Sequence, residues 1–439
     1  MRAMSVSIVC VFLGLLLETG SSMGDEKKGG EAKQKNELAE TGKSPRKLTS
    51  FDELMRSFMT ENELPGASLA VAKDGRLVYA RGFGYADVEK KEPVQPDSLF
   101  RIASISKPVT SVTIFRLIEQ GKLTLDDRVF DILTYEPHLP NGGKIDPRLK
   151  TITIRQLLQH TGGWDRDVSI DAMFYPAEIA YSLGIRPPAM QEDIIRFMLG
   201  WKLDFDPGTQ YAYSNFGYCL LGRVIEKLTG EKYDAHVRSK MLAPLKIRSM
   251  KLGRTLLKYR AEKEVRYYTR KNRTAPAVVG DDLMTKVPRQ YGGWNLEAMD
   301  SHGSWIASAI DLVRFASAVE NAEQSKFLSK ASLDAMFAPP PGKVSLDENG
   351  DRKDFYYGCG WSVRPKGDDG KFNCWHTGSL DGTSTILVIR HDGLCWAVLF
   401  NSRETAEGKV PSREIDPLVH KAADAVTSWP RHDLFSQFP

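Results

Sequence analysis

Arg101-Ile102-Ala103-Ser104-Ile105-Ser106-Lys107-Pro108-Val109-Thr110 is the stretch on which the reading of this chain turns. A serine hydroxyl is a weak nucleophile until a base takes its proton. A lysine three residues on lies one helical turn along the same face, within reach of the serine oxygen. At a helix start, Ser104 also meets backbone N–H groups that have no intrahelical partner and can stabilise a developing oxyanion. Pro108 is tolerated only near a helix beginning, which fits that placement. Ser-x-x-Lys is a short pattern, and the chain holds a second one, Ser44-Pro45-Arg46-Lys47. On its own the Ser104/Lys107 pair reads more readily as a surface pair.

Two further elements change that balance. Pro207-Gly208-Thr209-Gln210-Tyr211-Ala212-Tyr213-Ser214-Asn215 is a turn, an aromatic run and a helix start. A tyrosine of lowered pKa can act as general base, and an asparagine can orient a substrate amide or carbonyl. Taken alone, the same residues read as a capped helix, with Asn215 at the N-cap and Tyr213 packing. The third element is Cys374-Trp375-His376-Thr377-Gly378-Ser379, just before a strand pair. Its glycine lets a ligand backbone approach closely, His376 can hold or relay a proton, and the Ser379 N–H can point into a cleft. A look-alike, His160-Thr161-Gly162-Gly163, follows a helix instead and reads as a structural loop.

In the order Ser-x-x-Lys, Tyr-x-Asn, His-Thr-Gly, the chain resembles the penicillin-recognising serine hydrolases: class C β-lactamases, the related D-Ala-D-Ala peptidases and esterases, and LACTB-like proteins. The resemblance runs from Phe51 to Ser402 and takes in Gln159-His160-Thr161-Gly162-Gly163, Tyr218 to Gly222, and Tyr357-Gly358-Cys359-Gly360-Trp361. It implies an α/β sheet domain and an all-helical domain with the cleft between them. It also implies site roles. Ser104 would be acylated, and Lys107 would accept its proton or lower its pKa. Tyr213 would partner the base and protonate the leaving group. Asn215 would bind a substrate amide. His376, Thr377, Gly378 and Ser379 would line the substrate, with the Ser104 and Ser379 N–H groups as oxyanion hole. Asn401, at the end of the last strand, matches a position that touches a substrate carboxylate.

The chain departs from its relatives in places. Tyr-Ser-Asn points away from class A β-lactamases, and no deacylating glutamate loop stands out. His376 occupies a place where lysine often stands, so a fixed positive charge is missing. Asp381, three residues past Gly378, adds a negative charge near the cleft. Both features disfavour an anionic substrate and favour a broad ester or amide hydrolase over a dedicated antibiotic hydrolase.

Around the motifs, β-prone runs flank Asp74-Gly75 and Asp392-Gly393, each pair suited to a tight hairpin. Between these hairpins the periodicity predicts helices over Val109–Gln120, Ile152–Gln159, Glu192–Leu199, Phe216–Leu228 (stopped by Gly230) and Ile310–Ala318. Another helix is predicted over Phe51–Asn62, with Ser50 and Glu53 as a capping box. The expected fold is therefore α/β: one antiparallel sheet built from both chain ends and flanked by helices, plus a helical lobe. In residue numbers, the sheet lobe takes about 49–100 and 300–429, the helical lobe about 101–299, and a tail 430–439. Segments Pro137–Leu149, Asp165–Pro188 and Tyr259–Trp294, long and poorly periodic, are the expected rim of the site.

The chain ends and composition bound the rest. Arg2, the 13-residue mostly apolar run Ser5–Leu17 and the small residues Gly20, Ser21, Ser22 and Gly24 have the order of an export signal over residues 1–24. That run is too short to span a bilayer. Residues 25–48 are charged and nearly free of apolar side chains, and read as a solvated tether. Seven basic and five acidic residues between 25 and 47 account for +2 of the net +4 of this 439-residue chain. No basic block marks a nucleic-acid surface. The eight histidines form no ligand motif, so neither metal nor cofactor is expected. Cys219, Cys359, Cys374 and Cys395 allow three full pairings or none. The expected protein is exported to the periplasm or outside the cell, acts on a small-molecule or peptide substrate and has no integral membrane segment once the signal is removed. No oligomeric state follows from the sequence. The alternative is a catalytically silent relative that binds peptidoglycan-type ligands. The intact Ser104, Lys107 and Tyr213 set favours the enzyme.

Overall fold

Alternation along the last strands sets the layers of the protein. In a computed structural model, which describes residues 38–438 apart from 326, 368 and 369, the strands are β1 (Glu40–Thr41), β2 (Gly66–Lys73), β3 (Arg76–Asp87), β4 (Tyr356–Tyr357), β5 (Ser362–Lys366), β6 (Lys371–Leu380), β7 (Thr383–Arg390) and β8 (Leu394–Phe400). They form an antiparallel sheet in the order β1-β3-β2-β8-β7-β6-β5-β4, with Glu92–Pro93 added beside β3. On β8, Leu394, Trp396, Val398 and Phe400 face one apolar layer, while Cys395, Ala397 and Leu399 face another. That two-residue period buries both sides of a central strand.

Helices α1 (Thr49–Glu61), α2 (Ser106–Glu119), α3 (Ile154–Leu158), α4 (Gln191–Met198), α5 (Asn215–Thr229), α6 (Ala309–Glu320) and α7 (Pro411–Asp424) follow in chain order. The first layer contains α1 and α7: Phe51, Met55, Phe58 and Met59 recur at helical spacing and pack with Ile415 and Val419. The second contains α6 and the helices between the two halves of the sheet. Both expected hairpins are present, with Asp74 (φ 51°), Gly75 (φ 73°) and Gly393 (φ 80°) in the left-handed region their turns require. Gly230 (φ 72°) closes α5 as expected.

Two expectations are corrected, and one open alternative is resolved. Ser50 does not cap α1, whose N-cap is Leu48; the Ser50 hydroxyl donates to the Ala422 carbonyl at 2.9 Å instead. The tether does not extend to residue 48. Glu40 and Thr41 pair with Phe83 and Gly82 of β3, and Leu48 is buried. The charges that suggested solvation have partners: Glu40 pairs with Arg81 at 2.9 Å and also with Arg56, while Lys47 reaches the Ser428 hydroxyl at 2.9 Å. The second Ser-x-x-Lys is thus part of this packing, its Ser44 hydroxyl bonded to Asp52. Finally, the four cysteines are free buried thiols rather than disulfides.

Residues from Leu38 onward form one unit, while the expected signal and residues 25–37 lie outside the described residues. The C-terminal stretch is packed down, with the Asp433 carboxylate accepting from the Leu77 N–H at 3.1 Å and Arg314 donating to the Phe438 carbonyl at 2.6 Å. Among the described residues, no helix is long and apolar enough to cross a membrane.

Candidate active site

The site forms where β6 loses its neighbour. Strand β5 pairs with Lys371 to Trp375, so from His376 onward the outer edge of β6 faces other structure. The turn Ala103–Ile105, which leads into α2, packs there. Gly378 allows it: a Cβ at this position would lie 2.0 Å from the Ile102 carbonyl oxygen and 2.3 Å from Thr385 Oγ1. The close approach foreseen for a ligand backbone is thus made by the chain itself. Thr385 Oγ1 donates to the Ile102 carbonyl at 3.0 Å, and the Ile102 N–H donates to the Trp305 carbonyl at 3.0 Å. Ala103 carries a positive φ of 49° directly before Ser104, backbone strain of the kind held at functional sites.

Lys107, the second residue of α2 and one turn beyond Ser104, is fully buried. Its Nζ lies 2.7 Å from Asn215 Oδ1, 3.1 Å from the His302 carbonyl oxygen and 3.2 Å from Ser104 Oγ. Burial pushes its pKa well below the ordinary lysine range; nearby Asp171 works against that shift and Arg166 adds to it. Neutral Lys107 has two N–H donors and one lone pair. The two carbonyl-type oxygens take the donors, and the lone pair is left for the Ser104 hydroxyl.

Tyr213 stands beside Ser104, whose side chain works to lower the pKa of its phenol. Lys107 Nζ sits 4.6 Å and the Arg166 guanidinium 4.8 Å from its ring centroid. Burial raises its pKa despite the nearby Ser104, which favours the neutral phenol over the lowered-pKa base considered from sequence. Asn215 is the first residue of α5, while Ser214 takes the N-cap position and accepts from the Gly217 N–H. Both ends of the Asn215 side chain are engaged, Oδ1 by Lys107 and Nδ2 donating to Asp171 Oδ2 at 2.7 Å, which leaves one Nδ2 hydrogen uncommitted among the described residues.

The third motif is only partly where it was expected. Ser379 lines a cleft of about 250 Å³ together with Ser104, Asn215 and His302, and its hydroxyl has no partner among the described residues. Thr377, on the same free edge, is half-buried, and its carbonyl faces the His376 ring. His376 itself is turned inward. Its Nδ1 is 2.7 Å from the Thr377 carbonyl, which makes that nitrogen the donor, and its Nε2 then accepts from the Tyr357 hydroxyl at 2.8 Å. Burial, with Lys107 adding, pushes its pKa down to about 3, so the ring is neutral. Asn401 is not brought to the cleft: it is fully buried, with Nδ2 donating to the Tyr85 carbonyl at 3.0 Å.

Sequence reasoning missed several residues. Arg166 and Asp171 come from the expected rim segment 165–188 and pair at 3.8 Å. Asp381 does not present a bare negative charge. Arg289 bridges it at 2.9 Å and Arg403 at 3.4 Å, so two cations share one carboxylate at the cleft wall. His160 lies directly behind Tyr213, with ring centroids 4.3 Å apart. The only sequence signals were the His-Thr-Gly-Gly and Tyr-Gly-Cys-Gly-Trp stretches, and neither indicates what it touches. A larger hollow of about 540 Å³, lined by residues such as Leu256, Arg266 and Tyr291, contains none of the motif residues. No group of three or more His, Cys, Asp or Glu among the described residues could hold a metal.

The chain matches the family described as Beta-lactamase over residues 51–419. It is 28% identical over 387 residues to "Penicillin-binding protein 4*" of Bacillus subtilis (strain 168), covering 88% of this chain and 75% of that one. It is 31% identical over 196 residues to "Protein flp" of Staphylococcus aureus (strain N315), covering 44% of this chain and 36% of that one. Among solved structures, the octameric penicillin-binding protein homologue from Pyrococcus abyssi superposes with a TM-score of 0.62 at 24% identity, covering 85% of this chain and 76% of that one. The D-amino acid amidase from Ochrobactrum anthropi SV3 superposes with a TM-score of 0.63 at 21% identity, covering 87% and 99%. The nine-stranded sheet, the Ser104/Lys107 turn at its free edge and the family match agree: this chain belongs to the beta-lactamase family, whose members are typically serine hydrolases.

Proposed function

We propose that this protein is a serine hydrolase that cleaves an ester or amide through an acyl-enzyme at Ser104. The arrangement around Lys107 carries this reading: two acceptors hold its N–H groups, leaving its lone pair toward Ser104 Oγ at 3.2 Å. In acylation, Lys107 takes the Ser104 proton as the oxygen attacks the substrate carbonyl carbon. The resulting oxyanion is held by the Ser104 and Ser379 N–H groups. Tyr213, a neutral phenol beside Ser104 and Lys107, donates its proton to the departing oxygen or nitrogen and is reprotonated from Lys107. Water then attacks the acyl-enzyme and restores Ser104 through the same groups.

In this reading Asn215 keeps Lys107 oriented as much as it meets substrate. Gly378 sets the spacing of the oxyanion donors, and His376 supports the wall through Tyr357. The substrate is a small molecule or peptide. Asp381 does not bar anionic substrates, because Arg289 and Arg403 offset its charge. β-Lactams and D-peptides therefore stand beside simple esters as candidates. Structural neighbours described as a D-amino acid amidase and as a hydrolase with promiscuous acyltransferase activity fit that range. Residues 1–24 support export to the periplasm or beyond.

The test is a panel of a short-chain ester, a D-amino acid amide, a D-Ala-D-Ala peptide and a chromogenic β-lactam. At least one is expected to turn over with wild type and none with Ser104→Ala. Turnover of the same substrate by Ser104→Ala would overturn the proposal.

A further inference from the structure

His160 lies outside the three motifs, yet it touches Tyr213 from both chain directions. Its carbonyl accepts the Ala212 N–H at 2.9 Å, one residue before Tyr213. Its ring Nδ1 accepts the Ser214 N–H at 3.2 Å, one residue after. The imidazole packs on the Tyr213 ring at 4.3 Å between centroids, with the Tyr357 and Tyr218 rings at 4.5 Å and 5.1 Å. The clamp needs an unusual backbone: His160 holds φ at 57°, a conformation that favours glycine and asparagine. Because Nδ1 accepts, the ring proton sits on Nε2, which has no hydrogen-bond partner among the described residues. Strain and an unpaired buried N–H both cost stability, and a residue chosen only to close the loop would carry neither. Burial and the proximity of Lys107 keep the ring neutral, which preserves the Nδ1 acceptor.

We infer that His160 is the positioning residue of Tyr213, clamping the peptide groups on either side of it and its ring so that the phenol stays aligned with Ser104 and the leaving group. The inference rests on the proposed role of Tyr213 as proton donor to the leaving group.

The experiment compares kcat/KM, which reports acylation, for the ethyl and the p-nitrophenyl ester of one short acid. The ethoxide must be protonated as it leaves, and the nitrophenolate need not be. Tyr213→Phe should lose about 10²-fold on the ethyl ester and much less on the nitrophenyl ester. His160→Gly keeps the backbone conformation and removes the ring; it should show the same selectivity, losing about tenfold or more on the ethyl ester. His160→Asn suits the same φ and restores an acceptor, so its ethyl-ester loss should be smaller. If His160→Gly does not fold, His160→Asn carries the test, with a measurable loss confined to the ethyl ester expected. Equal losses on both esters in the His160 variants, or no loss while Tyr213→Phe is selective, would overturn the inference. If Tyr213→Phe itself is unselective, the proposed role of Tyr213 fails, and the inference falls with it.

Discussion

Gly378→Ala is the most demanding perturbation of this site, because it only replaces a hydrogen with a methyl group and touches no reacting atom. The new Cβ would sit 2.0 Å from the Ile102 carbonyl oxygen, whereas real Cβ contacts essentially never fall below 3.0 Å. The Ile102–Ser104 turn must therefore retreat from β6 by about 1 Å, since neither partner is a flexible side-chain end. The Thr385 bond to the Ile102 carbonyl would lengthen with it, and the Ser104 and Ser379 N–H groups would no longer converge on one oxyanion. Loss of a single oxyanion donor costs about 10²–10³ in kcat, and a displacement of about 1 Å is in the same range. The expected result is a drop of at least about 10²-fold in turnover, with about 1–3 kcal/mol lost in urea unfolding from overpacking. Steady-state hydrolysis of the best panel substrate, alongside urea melts of both proteins, measures this. A Gly378→Ala protein within threefold of wild-type turnover would refute the claim that the Ile102–Gly378 contact sets the catalytic spacing.

Other consequences follow from the charges. The Asp171 carboxylate favours the ammonium form of Lys107, and the base must be neutral to act. Activity should fall as pH drops through the depressed pKa of Lys107, and Asp171→Asn should move that acid limb of kcat/KM to lower pH; a shift to higher pH would contradict the assignment. Lys107→Arg places a permanent positive charge there and cannot supply a lone pair near neutral pH, so acylation should fall by about 10²-fold or more. Near-normal single-turnover rates would rule Lys107 out as base. Away from the site, buried Asp52 accepts from the Tyr79 hydroxyl at 2.7 Å and from Arg81 at 2.5 Å. Asp52→Ala leaves Arg81 short of one buried partner and should cost about 3–5 kcal/mol. Because Glu40 still pairs with Arg81, the lower end is expected, and a loss under about 1 kcal/mol in urea unfolding would show the cluster to be dispensable.

What could be read from sequence was local or ordered along the chain. The hairpins at Asp74-Gly75 and Asp392-Gly393 announce themselves through turn chemistry, and the Gly230 stop through its φ. The three motifs gain meaning from their order, which placed Ser104, Lys107, Tyr213, Asn215 and Ser379 around one site before any contact was known. What escaped was whatever depends on a distant partner. Residues 40–48 look solvated until Arg81 and Arg56 are brought beside Glu40. Asp381 looks like a repulsive charge until Arg289 and Arg403 close on it. His376 looks like a proton relay facing the substrate until Tyr357 occupies its Nε2. The link from His160 to Tyr213 escaped because it runs through backbone groups 52 and 54 residues further on, and backbone partners leave no mark in side-chain patterns.

The central claim is an acyl-enzyme on Ser104, as opposed to a silent binding fold. Its most direct test is intact-mass and peptide mass analysis after incubation with a serine-reactive fluorophosphonate and, separately, with a penicillin. One covalent adduct mapping to the peptide that contains Ser104, and absent from Ser104→Ala, is predicted for at least one reagent. No adduct on wild type with either reagent, or an adduct that persists in Ser104→Ala, would contradict it.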